Sequence, residues 1–429
     1  MVPAPALPTA RAGAWNGGQA TSDAPWGLYI HVPFCPYKCH YCDFVAVGGG
    51  AQVARWHVPY VDAIMREADH WERALHPGCP HSVFYGGGTP TVLAADRLAR
   101  LHASLVARFQ VPATAEVSVE CNPGTVTRTD LETLRRAGVN RLSIGLQAVQ
   151  DDMLARLNRH HTFTEFLTAY RNARDAGFDN ISVDLMYGLP GQTLRAWEEG
   201  LERVIDLGPE HVSAYSLQVE EGTLLHARAA AGSVSFPGED LEALMYAACR
   251  ARLADAGYAQ YEISNFARSG KRCRHNLLYW RNADYLGLGV GAHSHWRGWR
   301  WGNTNRLAVY CTTVAACPLP GAEPAECGAV GVEHPPAFPG CGRPAWVHVV
   351  EAADARRERG EAAFLGLRLM AGIEESAYAR RYGIALRQAF PGVVERLLAG
   401  GLLAATANGW LRLTADAVPV ANRVFAEFV

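Results

Sequence analysis

The sequence predicts an α/β fold, a partial (β/α)6 barrel carrying a smaller helical domain at its C-terminal end. Two observations predict it. From Trp26 onward, short apolar runs alternate with amphipathic stretches of helical period, the rhythm of parallel strands crossed over by helices. The chain has 429 residues, more than one small core organises, which points to a large domain with a second one appended.

The strands are expected at Gly27–His31, Ser82–Tyr85, Glu116–Cys121, Arg141–Gly145, Ile181–Met186 and His211–Ser216, each β-rich or continuously apolar as a strand covered on both faces should be. Helices are expected between them at Val58–Leu75, Ala95–Arg108, Asp130–Ala137, Phe163–Ala176 and Thr193–Asp206, several opening near Asp or Thr and closing before Gly. In such architectures ligands bind at the carboxyl ends of the strands, so polar and glycine-rich motifs that follow strands should share one site.

Residues 1–24 are rich in Ala, Pro and Gly and lack a basic n-region and an apolar h-region, so they read as a disordered tail on an untargeted, cytoplasmic protein. Residues 25–310 make the main domain. Residues 311–350 read as a linker or surface insertion, with seven prolines between 312 and 346. Cys317, Cys327 and Cys341 in that stretch form no C-x-x-C pair and are taken as loop residues. Residues 351–429 run helix, a strand pair turning at Asn408–Gly409, then a last helix, the order of a winged-helix-like domain. With 40 basic and 42 acidic side chains and no basic concentration there, no nucleic acid is expected as a partner. No heptad seam appears, which leaves a monomer or a dimer as the expectation.

The chemistry begins directly after the first strand, in GLYIHVPFCPYKCHYCDF, where Cys35, Cys39 and Cys42 have the spacing C-x3-C-x2-C. A zinc site would usually bring four ligands in pairs. Three thiolates suit a [4Fe–4S] cubane and leave one iron open. That iron can take the amino and carboxylate groups of S-adenosylmethionine (SAM), and the cluster can pass an electron to the sulfonium and release a deoxyadenosyl radical. Cys79, Cys121, Cys249 and Cys273 are isolated and read as small buried hydrophobes.

With Tyr41 in the aromatic position before the third cysteine, the chain resembles the radical SAM superfamily. The glycine run of FYGGGTPT (84–91) resembles that superfamily's loop for the SAM amino group, where a bare backbone permits close approach. The motifs VECNP, RLSIGLQ, LNRHHT, DLMYGLPGQT and HVSAYSL resemble one branch, the oxygen-independent coproporphyrinogen III oxidase family, over roughly residues 26–310. The resemblance implies a SAM pocket made by Tyr29, Gly87, Gly88, Thr89, Glu120, Gln147, Arg159 and Asp184, with Met186 and Ala292 beside them.

The oxidases of that family carry a fourth cysteine two residues beyond the third, and this chain has Phe44 there. C-D-F resembles instead the HemW-type heme chaperones of the same family. RHNLLYW (274–280) is similar to the segment associated with heme in that subfamily, which implies His275 as a heme ligand. From Tyr261 to Arg306 there are eight aromatic and eight basic residues against Glu262 and Asp284 alone, a composition suited to a porphyrin ring with two propionates. His293 and His295 are secondary candidates near the SAM pocket. The resemblance implies a chaperone that binds heme or a porphyrin and passes heme to a membrane-associated acceptor protein. The alternatives are an anaerobic oxidase that decarboxylates a propionate, which Phe44 weighs against, and a porphyrin-modifying radical SAM methyltransferase.

Overall fold

A computed structural model describes residues 25–49, 53–317, 343–352 and 354–429. The 1–24 tail, Cys327 and Cys341 lie outside the described residues. The main sheet comprises β1 (Gly27–Val32), β2 (Ser82–Gly87), β3 (Glu116–Cys121), β4 (Arg141–Gln147), β5 (Ile181–Tyr187), β6 (His211–Ser216), β7 (Ala259–Gln260), β8 (Asn265–Ala267), β9 (Tyr285–Leu288), β10 (His293–Trp296), β11 (Trp299–Asn303) and β12 (Val347–Glu351). Its order is β12-β11-β10-β9-β1-β2-β3-β4-β5-β6-β8-β7. The run from β9 through β1 to β6 is parallel throughout, and the strands at both flanks are antiparallel.

All six expected strands are present, and the five expected helices form at His57–Leu75, Ala95–Phe109, Arg128–Ala137, Phe163–Asp175 and Leu194–Leu207. Their ends follow local chemistry. Thr127 and Asp130 form a reciprocal capping box, as do Thr162 and Glu165, and Gly138 and Gly208 end their helices in the left-handed conformation. The parallel array also contains β9, which is absent from the expectation. Four residues with a central glycine are too short to declare a period.

Helix Leu307–Ala316 and strand β12 flank residues 318–342, and β12 pairs antiparallel with β11. The chain on both sides of the proline-rich stretch is therefore tied to the barrel. Beyond it, helices Ala355–Leu367, Glu375–Tyr382 and Val393–Ala399 accompany a three-stranded sheet of β13 (Ile373–Glu374), β14 (Leu403–Ala405) and β15 (Trp410–Leu413), in the order β13-β15-β14. Gly409 takes φ +80° in the turn between β14 and β15, where an L side chain would be strained. Among the described residues no helix is long and apolar enough to cross a membrane.

One buried carboxylate joins the barrel's second flank to its wall. Glu67, on the inner face of helix His57–Leu75, is fully buried. It accepts hydrogen bonds from Gly289 N (2.8 Å), Asn303 Nδ2 (2.7 Å), Tyr310 Oη (2.5 Å), Trp71 Nε1 (3.3 Å) and Trp346 Nε1 (3.2 Å). Trp71 shares the helix of Glu67, and the other four donors come from the turn after β9, the end of β11, helix Leu307–Ala316 and the approach to β12. Such convergence is what a buried acid requires, since each donor would otherwise be stranded away from water. Glu67→Ala is expected to cost several kcal/mol, because each buried donor left unsatisfied costs roughly 1 to 3 kcal/mol. A thermal unfolding midpoint equal to that of the unsubstituted protein would contradict this account.

Candidate functional site

The three cysteines lie on the loop that leaves β1, and backbone bonds hold that loop against the glycine run leaving β2. Gly88 N donates to Val32 O (2.9 Å) and Thr89 N to Phe34 O (2.8 Å), while Val47 N returns to Pro33 O (2.7 Å). A Cβ on Gly87 would collide with the His31 ring, and one on Gly88 would stand 2.8 Å from Phe34 O. Both glycines are thus required by the approach of one loop to the other. This adds a constraint to the expectation, which assigned their bareness to the ligand alone. His31 Nε2 donates to Val45 O (2.8 Å), so its Nδ1 accepts from Tyr29 Oη (3.0 Å). That side chain ties the strand to the far end of the cysteine loop.

Cys35, Cys39 and Cys42 are half-buried free thiols. Cys35 Sγ lies 3.7 Å from Thr89 Oγ1, and Arg159 Nη1 lies 3.8 Å from Cys39 Sγ. Among the described residues no three His, Cys, Asp or Glu side chains converge on a single ion. A cubane asks for something else, because each thiolate serves a different iron atom. Phe44 projects from the same loop and is 61% exposed.

Around these thiols stand most of the other expected residues. Arg159 Nη2 donates to Gly145 O (2.5 Å) and Asn122 Oδ1 (2.9 Å), and Asn122 Nδ2 donates to Thr89 Oγ1 (2.7 Å). This chain links the ends of β2, β3 and β4. Arg159 Nε and Gln147 Oε1 are buried without a protein partner. One orphan donor and one orphan acceptor beside the thiols are what a polar, zwitterionic ligand such as the methionine end of SAM would satisfy. Glu120 accepts from Gly87 N (3.2 Å), and Asp184 accepts from Ser143 Oγ (2.9 Å) and Ser182 Oγ (3.1 Å). Burial, then the Asp184 carboxylate, pushes the Glu120 carboxyl up to about 8. Met186 lies in an apolar cluster with Leu154, Leu157, Leu217 and Leu225, against which Tyr41 packs. Ala292 is buried in the turn between β9 and β10, where its backbone N–H donates to Gly289 O (3.2 Å).

Several sequence expectations land elsewhere. His275 lies at the amino ends of the strands, where its Nδ1 meets Ser82 Oγ (2.8 Å) at the first residue of β2 and its Nε2 meets Tyr279 Oη (2.9 Å). It is 1% exposed, and burial followed by the nearby Arg141 charge pushes it down to about 3, so it is a neutral imidazole with both nitrogens engaged. His295 does not border the cysteine site. It is buried, with Nδ1 3.1 Å from Ala283 O and Nε2 3.7 Å from Glu358 in the C-terminal region. Cys121, Cys249 and Cys273 are buried as expected, but Cys79 is exposed, in the Pro–Gly-rich loop before β2.

Sequence reading also missed His31, Tyr60 and Asn122. Tyr60 Oη donates to His31 O (2.6 Å) and accepts from Val290 N (3.0 Å), holding the β9–β10 turn beside the cysteine loop. The signal for His31 was its place two residues after Tyr29, on the same face of β1.

The raised Glu120 carboxyl has a testable sign. Ionising it is harder in the folded chain than in the unfolded one, so a destabilising contribution grows as pH rises from about 4.5 to about 8. Glu120→Gln is expected to melt higher than the unsubstituted protein at pH 8.5, with the gap closing toward pH 4.5. A gap independent of pH would remove the carboxylate pair as its cause.

Residues 29–204 match the model of the radical SAM superfamily and residues 355–420 that of the HemN C-terminal domain. The heme chaperone HemW of Bacillus subtilis is 34% identical over 403 residues, covering 94% of this chain and 98% of that protein. HemW of Mycobacterium tuberculosis is 38% identical, covering 71% and 78%, and HemW of Escherichia coli 38%, covering 63% and 70%. The structure of the coproporphyrinogen III oxidase HemN from Escherichia coli, a radical SAM enzyme, superposes with a TM-score of 0.76 over 95% of this chain and 90% of its own, at 23% identity, a likeness of fold. With its cysteine loop at the carboxyl ends of a parallel barrel and a relative 34% identical over 94% of its length, the chain belongs to the HemW family of the radical SAM superfamily.

Proposed function

We propose that this chain is a heme chaperone, one that carries a [4Fe–4S] cluster and SAM at the carboxyl end of the barrel and takes heme as cargo for an acceptor protein. The observation that carries the reading is the three-thiol loop with exposed Phe44 where the related oxidases have a fourth cysteine. Relatives of 34% to 38% identity named heme chaperones support it. Cys35, Cys39 and Cys42 would hold the cluster. Arg159 and Gln147, with their orphaned Nε and Oε1, would meet the polar end of SAM, and Tyr29, Gly87, Gly88, Thr89, Glu120, Asp184, Met186, Ala292 and Tyr41 would surround the rest. When bound, the cluster supplies an electron to the sulfonium of SAM.

For heme we assign His275. A metal-bound imidazole is normally oriented by a hydrogen bond to its other nitrogen, and Ser82 Oγ already provides that bond at Nδ1. Nε2 would then hold heme iron once the Tyr279 hydroxyl gave it up. The neutral state of His275 is the one that ligates.

Anaerobic titration of the cluster-reconstituted protein with heme, followed by Soret absorbance, tests this reading. Saturable one-to-one binding, weakened by at least about tenfold in His275→Ala, is the expected result, tenfold corresponding to about 1.4 kcal/mol. Absence of specific binding, or the appearance of vinylated or ring-opened porphyrin in the presence of SAM, would favour a porphyrin-processing enzyme instead. Cys39→Ala is expected to lose the cluster iron and sulfide. Retention of both would refute the ligand assignment.

A further inference from the structure

Helix Arg274–Trp280 lies between two bodies. Its first turn is fixed to the barrel floor by Glu116, which accepts from Arg274 N (2.9 Å) and His275 N (3.0 Å). The helix also packs against helix Ala355–Leu367 of the C-terminal region. At its C-terminal end the Arg368 guanidinium lies over the Trp280 ring at 4.2 Å, and Arg381 donates to Arg281 O (2.9 Å) and Asn282 O (2.5 Å). Apolar packing is continuous across the seam between these bodies, and charge closes its edge beside Trp280. Arg368 pairs with the fully buried Glu262 (3.2 Å), and Arg300 pairs with Glu361 through Nε (3.0 Å) and Nη2 (2.6 Å).

We propose that this seam is a tetrapyrrole site, in which Arg368, Arg381 and Arg300 read the two propionates and Trp280 offers a ring face. The inference rests on the heme reading above and adds to it where the porphyrin enters and what recognises its carboxylates. His275 is 1% exposed, so iron reaches it only if one of its covers moves, and the C-terminal cover is the one that carries exchangeable ion pairs at its edge. Arg368 and Arg300 already grip carboxylates there, and Arg381 holds two backbone carbonyls beside them. A propionate presents the same two oxygens as Glu262 or Glu361 and suits the same planar fork. The seam also leaves groups unserved in its closed form, since Trp280 Nε1 and Arg368 Nε are buried with no partner. A buried donor without an acceptor destabilises the closed form, which lowers the cost of opening and gives an incoming carboxylate a donor to satisfy. The seam stands at the amino ends of the strands, away from the cysteine loop, so its loading requires no change at the cluster.

The test compares heme with heme dimethyl ester, which keeps the ring and iron and removes both negative charges. Soret titrations would use the cluster-reconstituted full chain, Arg368→Ala and Arg381→Ala. Arg381 is an exposed residue, so its variant guards against loss of fold at the more enclosed Arg368. The unsubstituted chain is expected to prefer heme over the ester by about tenfold or more, the scale of one charge-assisted hydrogen bond. Each variant should lose most of that preference while its iron content and SAM binding stay unchanged. Equal preference in all three proteins, with His275-dependent binding intact, would overturn the seam and leave the heme reading standing. Absence of saturable heme binding, or binding indifferent to His275→Ala, would overturn both.

Discussion

The architecture depends on the pairing of two irregular loops at the top of a regular sheet. Ligands for a cluster cannot sit within strands whose side chains alternate in and out, so they must come from chain that has left the ladder. Such chain needs its own hydrogen bonds. Here Val32, Pro33 and Phe34 offer carbonyls to the glycine run and to the return of the loop itself, so the register of β1 on β2 continues past the ends of both strands. The glycines keep the two backbones close enough for those bonds, and His31 and Tyr60 pin the loop from below and from the side.

Away from this pairing the molecule solves a different problem, the burial of charge. Glu67, Glu116 and Glu262 are each almost or fully buried, and each accepts from at least one element far away in sequence. They act as non-covalent staples, drawing together the turn after β9, the helix at the barrel floor and the C-terminal region. Glu120 differs from them in facing Asp184, a second carboxylate with which it cannot comfortably share charge.

Much of the barrel was legible because its signals are local. Strands buried on both faces read as apolar runs, and Thr127, Thr162, Gly138 and Gly208 announce helix ends through groups they bond within a few residues. The cysteine spacing was equally local. What escaped was non-local: β9 is too short to show a period, and Glu67 looks in sequence like any polar residue on a helix. The hydrogen bonds that bury His275 were hidden for the same reason. Its neighbours Ser82 and Tyr279 fill both nitrogens, and Ser82 is 193 residues away in sequence.

The half-buried state of Cys35, Cys39 and Cys42 has a consequence for the chain's life before it acquires iron. Three adjacent thiols in reach of solvent are open to oxidants, and the first steps of that chemistry, a sulfenic acid and then a disulfide with a neighbouring thiol, would occupy the sulfurs that iron needs. Cluster insertion and oxidation therefore compete for the same atoms, and the interval between folding and loading is when this protein is most vulnerable to air.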